Sequence, residues 1–245
     1  MRIEDGLYTA IASGRLLERD LDAVTENLAN VATAGYKSAR PVTQESPFAR
    51  VLADKSTPIP LPNDGALGRD WSHGPLTRTG GAFDVALGSD AFLQVSTERG
   101  PRFTRDGRLT TDSEGKLTRI TGEPVLDAQG SEIRLPPGAP TIRTDGTVIV
   151  NGSEVAKLAA FEVSDRSQLI GDGEGLYRLA GADPSASVPS TAPRFLQGEI
   201  EGSNVNAPRA MVDMIEVHRS YEAVMRAVKT LDGLLARATQ SHGGS

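Results

Sequence analysis

The sequence predicts an α+β protein: N- and C-terminal helices paired as a coiled coil, with a central antiparallel all-β domain of sandwich or barrel type. Three observations carry this. Apolar residues recur every seven positions at both chain ends. Between them the period drops to two, and turn dipeptides follow one another at short intervals. Proline-rich stretches separate the two regimes. The division predicted is a heptad helix over 1–35, a Pro-rich extended arm over 36–70, a β-rich domain over 71–197, and a heptad helix with a short tail over 198–245.

At the N-terminus Ile3, Ala10, Leu17, Val24 and Val31 form one heptad series, and Leu7, Gly14, Leu21 and Leu28 the other. The two are offset by four and three, and neither contains a charge. Gly35 follows as the helix stop. At about 1.5 Å per residue the helix would be roughly 46 Å long. Gly6, Ser13 and Gly14 are costly in an isolated helix, so a partner is expected to order this segment.

Pro41, Pro47, Pro58, Pro60 and Pro62 then exclude regular structure, and Thr57–Pro62 reads as extended. From Trp71 to Phe195 strands alternate, as in Phe83-Asp84-Val85-Ala86-Leu87 and Thr147-Val148-Ile149-Val150. Asp106-Gly107, Asp145-Gly146, Asn151-Gly152 and Asp172-Gly173 punctuate them with the positive φ that tight hairpins need. Trp71 reads as a packing anchor at the start of this region. A second Pro/Ser stretch, Ala182 to Pro193, reads as a linker.

The C-terminal pattern is denser. Met214, Tyr221, Val228 and Leu235 form one series, and Val217, Val224, Leu231 and Ala238 the other. Asn206 is the expected N-cap and Pro208 falls in the first turn. Met211, Ile215 and Met225 widen the stripe, which implies burial against more than one neighbour. Two heptad helices at opposite ends of one chain are expected to pair with each other or with other copies. His218 at the stripe's edge reads as packed or interfacial.

Composition removes most chemistry. With no cysteine, three histidines, 38% hydrophobic and only 4% aromatic residues, thiol catalysis, disulfides and Cys-ligated metals are excluded, and any core is aliphatic. A net charge of −6 argues against nucleic-acid binding. No apolar run reaches membrane-spanning length, and acidic Glu4 and Asp5 argue against a cleaved secretory leader. Gly171-Asp172-Gly173-Glu174-Gly175 lacks the Lys-Ser/Thr ending of a phosphate loop, and Asp112 to Gly115 lacks a calcium-loop frame; both read as turns. Paired carboxylates among Asp84, Asp90, Asp106 and Asp112 leave a glycosidase open, although turn contexts explain Asp90, Asp106 and Asp112 without catalysis. A ligand-binding β module is the other alternative. No cofactor or metal is expected.

Both ends then become specific. Asn27-Leu28-Ala29-Asn30 with Thr33-Ala34-Gly35-Tyr36-Lys37 resembles the signature closing the N-terminal helix of bacterial flagellar rod and hook proteins. Gly198-Glu199-Ile200-Glu201-Gly202-Ser203-Asn204-Val205-Asn206 is similar to the lead-in to that family's C-terminal helix, and Met211 to Ile215 with Arg219 to Ala223 to the helix itself. Gly74 to Gly80, Phe83 to Leu87, Phe103-Thr104-Arg105-Asp106-Gly107 and Gly122 to Leu126 resemble its central blocks. Glu26, Ala91 and His218 depart from the usual residues.

The resemblance implies a non-enzymatic rod subunit in the flagellar basal body, in the periplasmic space. It implies export by the flagellar type III apparatus without a cleaved signal, and copies of itself and other rod or hook subunits as partners, with no nucleic acid and no membrane insertion. Within the family, chain length disfavours a hook protein, and 41–70 lacks the FEDLLYQ-like sequence associated with the distal-rod type, so the resemblance favours the proximal-rod type. The seam expected to carry assembly is Leu21, Val24, Leu28, Val31, Met214, Val217, Tyr221, Val224, Val228 and Leu231. Asn27, Asn30, Asn204 and Asn206 are expected to tie the helix ends by side-chain hydrogen bonds, and with Gly35 they make up the family motif.

Overall fold

A computed structural model of the protein describes residues 3–41, 67–181 and 186–242, with helix side chains from Ala10 to Gly233. Most of the predicted 36–70 arm, including Pro47, Pro58, Pro60 and Pro62, lies outside the described residues. The chain divides into two compact units. Among the described residues, one contains the two helices, α1 (Ile3–Ala29) and α2 (Ala207–His242), with Ala39 and Arg40; the other contains 30–38 and 69–205.

In the helical unit α1 and α2 pack against each other. Helix α1 is 27 residues long, shorter than the heptad count over 1–35 suggests. The chain turns directly after it: Thr33 N donates to the Asn30 carbonyl at 3.1 Å and Thr33 Oγ1 to the Asn30 side chain at 3.1 Å. Asn30 thus offers the backbone a local alternative to further helix. Val31 therefore sits in the turn past α1, and Gly35 is not the helix stop. Helix α2 begins as its sequence dictates, with Asn206 Oδ1 accepting from Arg209 N at 3.0 Å and Pro208 in the first turn.

The β unit is an assembly of small sheets. Leu169–Gly171, Leu176–Leu179, Gly100–Thr104 and Leu93–Thr97 form a four-stranded sheet in that order, and Ser153–Lys157, Thr147–Val150 and Thr141–Ile142 a three-stranded one. The remaining strands form two-stranded ribbons, and among the described residues no sheet closes into a barrel. Strands of two to five residues are too short for the tilt and stagger that closure requires.

Two cores lie within this unit. One is mainly aliphatic, built on Leu93, Val95, Leu117, Val125, Val148 and Leu158 with the ring of Phe195 among them. The other gathers Phe92, Phe103, Phe161 and Tyr177 against Trp71, with edge-to-face rings 5.0 to 6.4 Å apart. The purely aliphatic expectation fails for both: the first core includes the buried Phe195, and the second is made mainly of aromatic rings. Trp71 does anchor them. Phe92 serves the second core while Leu93 and Val95, two positions apart, both serve the first, the period of two made physical.

Most turn readings hold. Asn151 and Gly152, at φ 52° and 82°, close the hairpin from Thr147–Val150 to Ser153–Lys157. Gly171 to Gly175 joins two paired strands rather than cradling phosphate. Asp106-Gly107 differs. It is not a hairpin tip but a buried junction, and a Cβ on Gly107 would lie 1.6 Å from the Val85 carbonyl oxygen. The expected linker is also partly strand: Ser187–Pro189 pairs antiparallel with Phe161–Val163. Pro189 is tolerated at the end of such an edge strand because no further pairing needs its N–H.

Candidate assembly site

Two stretches of the β unit lead toward the helices in sequence, 34–38 and 201–205, here termed the N-stem and C-stem. They run side by side. Gly35 N donates to the Glu201 carbonyl at 2.8 Å, Asn204 N to the Tyr36 carbonyl at 3.3 Å, and Ser38 N to Asn204 Oδ1 at 2.7 Å. Gly35 is required by two things at once. Its φ is +67°, and a Cβ there would stand 2.4 Å from the Arg105 carbonyl carbon.

Buried charge fastens the stems. Glu201, 1% exposed, accepts from Lys37 Nζ at 2.7 Å and Gly74 N at 2.9 Å on one oxygen, and from Arg105 Nε at 2.6 Å on the other. Lys37 Nζ also donates to the Ser72 carbonyl at 2.6 Å. Arg105 uses its whole fork: Nη1 reaches the Ser89 and Ala91 carbonyls at 2.9 and 2.7 Å, and Nη2 the Leu87 carbonyl at 2.9 Å and His73 Nδ1 at 3.2 Å. A guanidinium can only donate, so His73 Nδ1 is the acceptor and Nε2–H donates to Asp90 at 2.9 Å. Burial pushes the Glu201 carboxyl up, but Arg105 and Lys37 outweigh it and hold it below its ordinary range. Burial also pulls Lys37 down, against the pull of Glu201.

The asparagines expected to tie the helix ends all make such bonds, each differently. Asn27 brackets Ala39, donating to its carbonyl at 2.9 Å and accepting from its N–H at 2.6 Å. Asn30 closes the turn after α1 and Asn206 caps α2. Asn204 donates to the Asp70 carbonyl at 2.8 Å and to Ser72 O and Oγ at 3.1 Å while accepting from Ser38.

On α2 the predicted seam residues Met214, Val217, Tyr221, Val224, Val228 and Leu231 are half-buried, as are Leu21, Val24 and Leu28 on α1. None is fully covered. Met211, Val212 and Ile215 remain 52 to 53% exposed, and His218 is exposed beside Glu222 rather than packed.

The carboxylates considered for glycosidic chemistry are otherwise engaged. Asp106 is buried and grips Arg108 through both oxygens, Asp112 Oδ1 accepts the Glu114 and Lys116 amides at 2.8 Å, and Asp84 accepts from Thr79 at 2.6 Å. The Arg166 hydrogen bond holds Asp90 below its usual range, opposite to what a general acid needs.

Residues 196–241 match the family model for the flagellar basal body rod FlgEFG protein C-terminal, and residues 86–150 that for the flagellar hook protein FlgE/F/G D1 domain. The chain is 34% identical to the flagellar basal-body rod protein FlgF of Caulobacter vibrioides, covering 98% of this chain and 99% of the relative. It is 35% identical to FlgF of Rhizobium meliloti over 99% and 100% of the two chains. The chain belongs to the flagellar basal-body rod protein family. It is FlgF-like, with FlgG close: FlgG of Buchnera aphidicola is 29% identical over 90% of this chain and 93% of the relative.

Within this rod-protein chain, Arg105 falls in the matched D1 region and Glu201, Asn204 and Asn206 in the matched C-terminal region, while Lys37 lies outside both. Lys37, Arg105 and Glu201 all sit inside the signature blocks, yet nothing in the sequence singled them out as partners. Among the described residues, no helix is long and apolar enough to cross a membrane.

Proposed function

We propose that the chain is a structural subunit of the flagellar rod, in its proximal part, and that it polymerises helically with copies of itself and with other rod or hook subunits. Its helices pair as a coiled coil through Leu21, Val24 and Leu28 on one side and Met214, Val217, Tyr221, Val224, Val228 and Leu231 on the other. Non-closing, head-to-tail contacts between such units generate a filament rather than a ring. Export through the flagellar type III apparatus, without a cleaved leader, delivers it to the periplasmic space. It performs no catalysis.

One observation supports this reading above the others. The heptad seam stays half-buried although α1 packs on α2, and Met211, Val212 and Ile215 are exposed beside it. A stripe of that kind is apolar area left uncovered among the described residues. The test is motility with basal-body fractionation of a strain carrying Val224→Asp and Leu28→Asp. The expected result is non-motile cells whose basal bodies lack the protein; normal swimming with intact rods would overturn the proposal.

A further inference from the structure

Among the described residues, the contacts that join the N-stem and C-stem are made within the β unit. The three contacts, two between backbones (Gly35 to Glu201 and Asn204 to Tyr36) and one from Ser38 N to the Asn204 side chain, set the stems side by side in the same direction. Two segments this short do not hold together as an isolated ribbon. What surrounds them supplies the rest. Lys37 and Arg105 meet at Glu201, and Lys37 N donates to the Tyr177 hydroxyl at 3.2 Å. The Arg69 guanidinium lies 5.6 Å from the Tyr36 ring centroid while donating to its hydroxyl at 3.1 Å. Among the described residues, every partner in these contacts belongs to 34–38, 69–74, 87–91, 105, 177 or 201–204, all within the β unit.

We propose that this cluster is a clasp that closes with the β unit's own folding and does not depend on helix pairing. The closed clasp holds the two chain ends together before the helices meet. Glu201 and Lys37 are 164 residues apart in sequence, and an unclasped chain would have to bring its helices together across that length. With the stems clasped, the helices meet over short tethers, at an effective concentration of order mM. The clasp rests on the rod-subunit reading for its purpose only; its closure is a property of the monomer.

The test is amide hydrogen exchange on the dilute full-length protein, which reads nothing of motility or rod assembly, so failure of either proposal is recognisable separately. Ala223, exposed in mid-α2, is changed to Pro. Helix amides around 217–231 should exchange about 100-fold faster. The amides of Gly35, Ser38 and Asn204 should stay within about twofold of their wild-type rates, alongside those of Phe92 and Leu117 in the β unit. Loss of protection at Gly35, Ser38 and Asn204 together with the helix would overturn the clasp. In Lys37→Met the same three amides should exchange about tenfold faster or more while Phe92 and Leu117 hold. Unchanged stem protection, or an equal loss throughout the β unit, would count against a separate fastening. If Lys37→Met does not fold, the Ala223→Pro result decides alone.

Discussion

The helical and β units bury different things. Among the described residues, every buried apolar side chain of the helical unit is an alanine: Ala12, Ala23, Ala39 and Ala210. Every buried leucine, isoleucine, valine, phenylalanine and tyrosine belongs to the β unit, as do Lys37, Arg105, Asp106, Arg119 and Glu201. One unit completes its core and most of its buried polar bonds from its own chain. The other leaves its large apolar residues half-covered. Self-sufficiency and incompleteness thus coexist in one chain, and the incomplete part is the one with the heptad repeat.

The largest effect that could break this contrast is at Glu201. Changing it to Gln leaves Lys37 and Arg105 buried without a counter-charge, and should cost the β unit about 3–5 kcal/mol. The single tryptophan, Trp71, packs on Phe92 and Tyr177, so its fluorescence in a urea titration reports on this unit. A change below about 1 kcal/mol would mean the buried charges are incidental. Gly35→Ala comes next, at about 1–3 kcal/mol on the same transition from its positive φ, with the close approach to Arg105 adding to it.

Acid should act on the same unit. The Glu201 carboxyl is held below its ordinary value of 4.5, so its contribution is fully present above that value. It is lost as pH falls below 4.5 and through the folded-state value. Asp90 and Asp172, held low by Arg166 and Arg102, act in the same direction. The Trp71 transition should therefore weaken steadily below pH 4.5, and a stability that stays flat to pH 3 would contradict the assignment.

In the helical unit the effects should be smaller. Val224→Ala should lower the stability of the helices by about 1 kcal/mol or less in the monomer, since the side chain is only half-buried. Circular dichroism on thermal unfolding measures it, and a cost above 2 kcal/mol would mean the seam is already complete. Gly14→Ala sharpens the comparison from the other side. A Cβ at Gly14 would meet Val224 Cγ1 at 3.8 Å, ordinary contact, so the substitution should stabilise α1 by up to about 1 kcal/mol. The two glycines thus have opposite signs, one filling a clash and one a tolerated space.

Local pattern carried the fold further than it carried the junction. The heptads over α1 and α2, the Asn206 cap and the Asn151-Gly152 hairpin are short-range signals, legible because partner and cause lie within a few residues. Val31 failed because periodicity says nothing of a competing turn, and Asn30 supplies one. Asp106-Gly107 has the composition of a hairpin tip, but its glycine answers to the Val85 carbonyl, 22 residues away in sequence. Lys37, Arg105 and Glu201 were invisible for a stronger version of the same reason. Each is one ordinary charged residue, and their separations of 96 and 164 positions follow no periodic rule. Only the signature blocks around them hinted that these positions are constrained.

The common direction of the stems also has a mechanical meaning. Tension drawn along the C-stem loads the Gly35–Glu201, Tyr36–Asn204 and Ser38–Asn204 bonds together, as shear, and shares the load with the Lys37–Glu201 pair. Peeled singly, each neutral bond would resist with only about 0.5–1.5 kcal/mol. Loaded at once, they must fail as a group. A pull reaching the β unit through its C-stem meets a rivet rather than a zip.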